Sequence, residues 1–194
     1  MSTHKKILVE RFHDFDALEP LQNEWDKFME SIHGEIFLTF DWCRTWWKYY
    51  GDKRKLAVFV FRDETGLCAI MPLFCERLSA GPLSVDAVRM VGTDFMPVSM
   101  ALPVRDGCVH DVIDTLIGEI NAVWRWDILH LGALSGGYAA LPSLVHAFQS
   151  RLGDDYLCQL KEADVQTYFP VAGDWDKQLA SLSSKQRANI RRAF

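Results

Sequence analysis

The sequence lacks several features by which whole classes of protein are recognised. Its 194 residues include five cysteines, an odd number without any C-x-x-C pair, and this disfavours both a disulfide framework and a zinc site. The N-terminal apolar run is only three residues long, whereas a signal peptide needs about 7–15 apolar residues and a membrane helix about 20. We therefore expect a cytoplasmic protein with reduced cysteines and no membrane span.

Motifs that carry chemistry are also scarce. The six histidines show no H-x-x-x-H or H-E-x-x-H spacing, so no metal is expected. A G-x-S-x-G nucleophile elbow is absent. Arg89 to Gly92 begin the pyrophosphate-binding turn R/Q-x-x-G-x-G/A, but Thr93 and Asp94 follow where a small residue is needed. Asp94 itself, in GTDFMP, is either a pocket residue or part of an Asx turn.

The amino-acid composition of the chain is that of a globular protein. Hydrophobic residues make up 49% and charged residues 24% of the sequence, as in average soluble proteins. The net charge of −5 is unevenly distributed, because from Asp174 onward five Lys or Arg residues accompany only two Asp residues. The acidic bulk disfavours general nucleic-acid binding, whereas the end segment is a local patch suited to anions.

Hydrophobic periodicity predicts strands that alternate with helices, which is typical of a mixed-sheet α/β domain. Two β-rich runs, 55–62 and 67–78, are joined by a short turn that ends in Gly66, and they predict a hairpin. Pro72 would place the second arm of this hairpin at a sheet edge or at a bulge. Further helices are expected over 16–33, 39–50, 110–124, 139–152 and 175–182, and further strands over 5–12, 84–91, 126–131, 156–160 and 166–171.

The helix over 39–50 is unusually aromatic. It contains FDWCRTWWKYY, with apolar residues around nearly its whole circumference, and this predicts a deeply packed helix. Gly51 is expected to end it in the left-handed conformation. The alternative is a platform on which sugar rings or bases stack, with Lys48 supplying a positive charge beside the rings.

Five stretches, in this order, resemble the N-terminal half of one branch of the GNAT acyltransferases. They are FLTFDWCRTWWKYYG, LAVFVFRDETGLCAIMPLFCERL, VRMVGTDF, WDILHLGAL and WDKQLASLSSKQRANIRRAF. The branch comprises the double-domain acyltransferases related to the Fem-type peptidoglycan aminoacyl transferases and to the CelD-like proteins named for cellulose biosynthesis. The most specific elements are the F-x-x-F-D-W-x-x-x-W-W helix and the S-L-S-x-K-x-R-x-N-I-R-R end.

The resemblance implies a GNAT-like domain, with a mixed, mostly antiparallel sheet flanked by helices, over residues 1–182. Residues 183–194 would start a helix that links it to a second, C-terminal GNAT domain. Ser183 with Gln186 three residues later fits a capping box at the start of that helix. The site for the acyl-CoA co-substrate and the catalytic residues are expected in the second domain.

The activity implied is transfer of an acyl group from a thioester or an aminoacyl-tRNA to an amine, with the present half recognising the acceptor. The acceptor would be a small molecule or a precursor of the cell envelope or of a polysaccharide. By motif position, Lys48 and Asp94 are candidate acceptor contacts, and Arg187, Arg191 and Arg192 are candidates for binding phosphate or carboxylate.

Two other interpretations remain open from the sequence. The chain is alternatively a non-catalytic binding module whose basic terminal helix docks on an anionic partner, or a degenerate GNAT domain kept as a scaffold. The arginines of the terminal helix are alternatively no more than a solvated helix face.

Overall fold

A computed structural model describes residues 6–92, 101–153, 156–161, 171 and 173–193. The chain divides into two compact units, residues 1–163 and residues 164–194. The first unit contains the sheet and the second contains a pair of short helices. The expected domain boundary between residues 182 and 183 stays a prediction.

The elements of the first unit alternate much as the periodicity predicts. In chain order they are β1 (Leu8–Phe12), α1 (Gln22–Ser31), α2 (Phe40–Tyr50), β2 (Lys55–Asp63), β3 (Gly66–Ala80), β4 (Leu83–Met90), α3 (Val109–Val123), β5 (Ile128–His130) and α4 (Leu141–Leu152). Single 3-10 turns precede α1 and α2, at Glu19–Leu21 and Ile36–Leu38. The second unit contains α5 (Trp175–Ser181) and α6 (Ser184–Ala193).

The strands form one sheet in the order β1-β2-β3-β4-β5. Its first four strands are antiparallel neighbours, and β5 lies parallel to β4. A parallel pair needs a crossover connection, and α3 provides it between β4 and β5. The mixed, mostly antiparallel sheet with flanking helices confirms the predicted fold class and is consistent with a GNAT-like fold.

Helices cover both faces of the central strands. Alternate residues of a strand point to opposite faces, and in β2 the six residues from Leu56 to Phe61 are all buried. Trp46 of α2 packs on Phe74 of β3 at 5.4 Å between ring centroids. On the other face, Trp124, directly after α3, meets Phe59 of β2 edge-on at 6.3 Å. The core therefore has two layers, one on each side of β2 and β3.

The predicted hairpin of β2 and β3 is confirmed, with Asp63 paired to Gly66. The expectation for Pro72 is wrong, because β3 is paired on both sides, with β2 and with β4. The carbonyl of Pro72 accepts the Val91 N–H at 2.8 Å, one position beyond the last paired residue of β4. The Pro72 nitrogen points to the same side of the strand, where the register of paired residues between β3 and β4 has ended. The lack of an N–H on proline therefore breaks no hydrogen bond of the sheet.

The prediction for Gly51 also fails, whereas the strand predicted after α3 is present in a shorter form. Gly51 is right-handed, with φ −77°, and the left-handed residue is Lys53, with φ 62°. A Cβ at Gly51 would lie 2.5 Å from the Trp47 carbonyl oxygen, so the close approach to α2 explains the glycine. The strand predicted over 126–131 is confirmed as β5, over the shorter range Ile128–His130, and it lies at the sheet edge, where Ile128 and His130 are exposed.

The prediction of a strand over 156–160 is wrong, since residues 156–161 form no strand. The strand expected over 166–171 falls almost entirely outside the described residues. None of the helices in the described part of the chain has the length and hydropathy needed to cross a lipid bilayer.

Candidate functional site

The aromatic helix α2 is buried in the core on one side and exposed to solvent on the other, which we call its open side. Phe40, Cys43 and Trp46 are at most 6% exposed, which confirms the packed interpretation for this face. Tyr49 and Tyr50 are 70% and 48% exposed, so the expectation of burial around the whole circumference is wrong. The last turn of α2 therefore exposes most of Tyr49, whereas Tyr50 is half-exposed and packs on Trp46 at 5.3 Å between ring centroids.

Lys48 lies on this open side. Its Nζ is 5.7 Å from the centroid of the Tyr49 ring, a distance at which a cation and a ring attract each other. Lys48 is exposed, and no carboxylate pairs with it among the described residues. It can therefore meet an anionic or aromatic group without breaking an ion pair.

Beside the C-terminal end of α2 the structure contains a charged cluster that the sequence analysis missed. Glu76 of β3 accepts from Nε of Arg54 at 2.9 Å and from Nη1 of Arg89 at 2.8 Å. The three side chains are only 12%, 16% and 23% exposed in that order. The Arg54 guanidinium also covers the Phe74 ring at 4.7 Å. We call these three residues the Arg–Glu–Arg cluster.

A sequence signal for this cluster exists but is weak. Glu76 ends the apolar run of β3, and Arg89 stands between apolar residues in β4. Charged residues at strand positions that face a core are rarely left unpaired. The pairing itself joins three separate segments, and only the strand register of β3 and β4 brings them together.

The start of the aromatic helix and the end of β4 meet at Gly92. A Cβ at this glycine would lie 2.9 Å from the Phe37 carbonyl oxygen and 3.4 Å from Nε1 of Trp42. Its φ of +85° also favours glycine. The segment FLTFDW and the end of the segment VRMVG are therefore in contact. Asp94 itself lies outside the described residues.

Two indole groups near this point keep their N–H groups without an acceptor. The Nε1 atoms of Trp42 and Trp46 are buried, and neither has a hydrogen-bond partner in the described part of the chain. The two residues stand one helical turn apart, which places them on the same side of α2. Phe37 meets the Trp42 ring edge-on at 4.9 Å, and aromatic faces are weak acceptors for such donors.

A second buried ionic group lies at the β2–β3 turn. The Asp63 carboxylate, whose side chain is 3% exposed, accepts from the Thr65 hydroxyl at 2.7 Å and from Nη2 of Arg105. These hydrogen bonds, with the Arg105 charge, hold the pKa of Asp63 well below its usual range. A carboxylate fixed in this state is an ion-pair partner and a poor general acid.

The cysteines behave as buried thiols. Four of the five are buried and none is in a disulfide. Burial, with smaller contributions from Cys108 and Asp63, raises the pKa of Cys68 to about 12. Burial also raises the pKa of Cys43 and of Cys75. Because the thiolate is the reactive form, the raised pKa values of these three thiols argue against a nucleophilic role for them.

The predicted basic residues belong to the second unit. Ser183 begins α6 in a capping box: its Oγ accepts the Gln186 N–H at 3.3 Å, and Gln186 Oε1 accepts the Ser183 N–H at 3.0 Å. Arg187 donates through Nη1 to the carbonyls of Leu182 at 2.6 Å and Ala180 at 3.2 Å. Its guanidinium therefore helps to hold the corner between α5 and α6.

Arg191 and Arg192 are exposed and lie in the last turn of α6. They are the freer candidates for an anion, whereas Arg187 has a structural task as well. Lys48 is in the first unit and these arginines are in the second.

An open depression of about 380 Å³ lies between α1 and the start of α2. Asp26, Glu30 and Asp41 contribute carboxylates to its wall, and Met29 and Ile36 contribute apolar surface. Asp26 already accepts the Phe40 N–H at 3.1 Å, and Asp41 accepts from the Gln22 side chain at 3.3 Å. These bonds give two of the three carboxylates a local structural role.

Within the described ranges, no group of three or more His, Cys, Asp or Glu side chains is arranged to hold a metal ion. The searches for relatives gave no match: no family model, no curated protein and no solved structure is similar to this chain.

Proposed function

We propose that this chain is the acceptor-recognising N-terminal domain of a GNAT-type N-acyltransferase. The supporting observation is the fold: a mixed, mostly antiparallel sheet flanked by helices, with the segments FLTFDW and VRMVG in contact at Gly92. The contact adds support because Phe37 and Gly92 are 55 residues apart in the sequence and adjacent in space. The proposal also assigns the reaction to the cytoplasm.

The reaction proposed is attack of a free amine on the carbonyl of a thioester or of an aminoacyl-tRNA ester. Such chemistry needs orientation of the two substrates and polarisation of the carbonyl more than covalent participation. A second GNAT domain would bind the acyl-CoA donor. This chain would recognise the acceptor, with Lys48 and Asp94 as proposed acceptor contacts, and Arg187, Arg191 and Arg192 as proposed contacts to phosphate or carboxylate.

Lys48 has the simplest role in this proposal. An acceptor that carries a phosphate or a carboxylate would pair with its ammonium group, while a sugar ring would stack on Tyr49, which is 70% exposed. Arg191 and Arg192 are proposed, independently of Lys48, to bind a phosphate or a carboxylate.

The test uses the natural protein that contains these residues. It is incubated with acetyl-CoA and a panel of primary amines, and separately with aminoacyl-tRNA, and the acylated amine is measured by mass spectrometry. Direct detection of the product avoids thiol reagents, with which the cysteines of the chain would interfere. The expected result is an acylated amine whose yield falls at least tenfold in the variant Lys48→Ala; a folded protein that yields no product from either donor would contradict the proposal.

The placement of the donor site has its own measurement. Calorimetry of the 194-residue chain with acetyl-CoA is expected to show no binding. Heat of binding with a stoichiometry near one would mean that the donor site lies in this chain and that the division of roles is wrong.

A second candidate function is favoured by the composition of α6. SKQRANIRRA contains four basic residues and no acidic one, and Lys185, Arg191 and Arg192 are exposed. A non-catalytic module that docks this helix on an anionic partner would be retained on heparin, and retention would fall in the double variant Arg191→Ala/Arg192→Ala. The control is Lys53→Ala in the first unit, which should not change retention.

A further inference from the structure

Two of the buried cysteines are neighbours in space. Cys68 is the third residue of β3, and Cys108 directly precedes α3; they are 0% and 2% exposed. Besides burial, the charge of the Cys108 side chain and its hydrogen bond with the Cys68 thiol raise the pKa of Cys68. No other thiol contributes to the raised pKa of Cys43 or of Cys75. The contact between two thiols is therefore a particular feature of this pair.

Backbone hydrogen bonds hold the two cysteines in this position. The Cys68 carbonyl accepts the backbone N–H of Arg105 at 2.8 Å, and the Arg105 carbonyl accepts the N–H of Cys108 at 3.1 Å. Ala69, next to Cys68, also forms a β-bridge with Val104. The turn that contains Cys108 is thus bound to the start of β3. Two thiols that are held in contact by their backbones can join without a large rearrangement.

The surroundings of Cys108 are those of a cysteine that reacts. Nη2 of Arg105 donates to the Cys108 Sγ at 3.5 Å, and the Arg105 side chain is 31% exposed, so water reaches the group that covers the sulfur. Cys108 also stands at the N-terminal end of α3. Reactive cysteines are typically found beside arginine and at helix N-termini. The Asp63 carboxylate, 3.9 Å from the same sulfur, is itself paired with Arg105.

We propose that Cys68 and Cys108 are a redox-responsive pair, which a peroxide converts into a disulfide. In the first step the Cys108 sulfur attacks one oxygen of hydrogen peroxide and the O–O bond breaks. Cys108 becomes a sulfenic acid, and the released hydroxide takes the thiol proton and leaves as water.

In the second step the Cys68 sulfur attacks the sulfur of the Cys108 sulfenic acid. The S–S bond forms, the S–O bond breaks, and the departing hydroxide takes the Cys68 proton as a second water. Two thiols and one hydrogen peroxide thus give one disulfide and two waters. The two electrons lost by the sulfurs reduce the peroxide.

Cys68 is suited to the second step alone. Because burial raises the pKa of Cys68 to about 12, it has little thiolate near neutral pH and reacts slowly with reagents in solution. The Cys108 sulfur, in contrast, is already beside it, and such proximity increases the rate of an intramolecular step. The expected end product is therefore the disulfide and not the irreversible sulfinic acid.

The disulfide would add a covalent link between β3 and the start of α3, where the reduced protein has hydrogen bonds. A thiol reductant cleaves such a bond by exchange. The strength of this connection would therefore depend on the redox state of the surroundings. This inference is independent of the proposed acyltransferase function, because it concerns the packed cysteines of the sheet domain alone.

Peptide mapping of the folded 194-residue chain tests the proposal. The substitution Cys158→Ser removes the one cysteine that is not buried. The chain is treated with hydrogen peroxide, its free thiols are alkylated after unfolding, and the unreduced peptides are identified by mass spectrometry. The expected result is a peptide that links Cys68 to Cys108, at least tenfold more abundant than any other linked pair. Absence of this peptide, whether the two thiols stay free or Cys108 ends as a sulfinic acid, would overturn the proposal.

A variant tests the order of the two steps. In Cys68→Ala the sulfenic acid of Cys108 has no thiol to react with, so trapping with dimedone should label Cys108 at least fivefold more than in the parent. Cys43→Ala, at an equally buried position, is the matched control and should form the disulfide as the parent does. Thermal unfolding shows first that both variants are folded. Equal labelling of Cys108 in Cys68→Ala and in the parent would contradict the role of Cys68, and the mapping of the parent chain needs neither variant.

Discussion

Arg54 donates to Glu76 at 2.9 Å and joins the end of α2 to the third strand of the sheet. Its Nη1 also donates to the carbonyl of Tyr50 at 3.0 Å, so one guanidinium holds a helix terminus and a strand together. Arg89 shares the same carboxylate. The Arg–Glu–Arg cluster thus connects the C-terminal end of α2 to strands β3 and β4.

Replacing Glu76 with Gln should destabilise the protein by about 2 kcal/mol, since two poorly exposed guanidinium groups lose the carboxylate they share. The measurement is urea unfolding at neutral pH. Asp86→Asn is the matched control, because its partner Arg77 is 64% exposed, and it should change the free energy of unfolding by less than about 1 kcal/mol. Equal effects would show that the cluster contributes no more than a surface pair.

Acidification should destabilise the protein in part through Asp63. Its folded pKa is held below the unfolded value of about 3.9 by hydrogen bonds and by Arg105, so its contribution is complete above that pH and declines as the pH falls below it. In the variant Asp63→Asn, the free energy of unfolding should fall less on acidification than it does in the parent protein. In the variant Glu64→Gln, at an exposed neighbouring position, the fall should be the same as in the parent.

Gly92→Ala should cost about 1–3 kcal/mol, because the new Cβ would meet the Phe37 carbonyl at 2.9 Å in a left-handed backbone. Thermal unfolding measures the change. Gly118→Ala is the control with the opposite sign: it lies inside α3 with no atom near the added Cβ, so it should stabilise the protein by about 0.5–1 kcal/mol. Tolerance of alanine at residue 92 would contradict the contact described.

Ser183→Ala should weaken the start of α6 by about 1 kcal/mol, since the capping box loses its side-chain acceptor. Hydrogen exchange of the α6 amides is the suitable measurement, because the second unit can open separately from the sheet. Ser184→Ala, one residue later and also exposed, should leave these exchange rates unchanged. Faster exchange in both variants would indicate general fraying rather than loss of the cap.

Local patterns predict the elements whose signals are contained within a few residues. The hairpin of β2 and β3, the helices α2 to α5 and the capping box at Ser183 are of this kind. Predictions failed where a tertiary contact decided the outcome. Pro72 is tolerated in a central strand because the pairing with β4 ends beside it. A glycine is needed at residue 51 because its backbone lies close to the Trp47 carbonyl, and its conformation is not left-handed.

The candidate site was predicted less completely than the fold. Lys48 is exposed as a contact residue should be, but Arg187 is engaged with backbone carbonyls. The Arg–Glu–Arg cluster was missed because its members come from the α2–β2 connection, β3 and β4. The residue pattern within one segment cannot predict that these three side chains form ion pairs, because the strand register of the sheet brings them together.

The strand connections also order the events by which the sheet assembles. The β2–β3–β4 meander joins neighbours through turns of two residues, so its contacts are local and its loop-closure entropy is small. β5 reaches its place beside β4 only after the long crossover through α3. We therefore expect the meander to form first during folding, and the parallel edge strand β5 to dock after it.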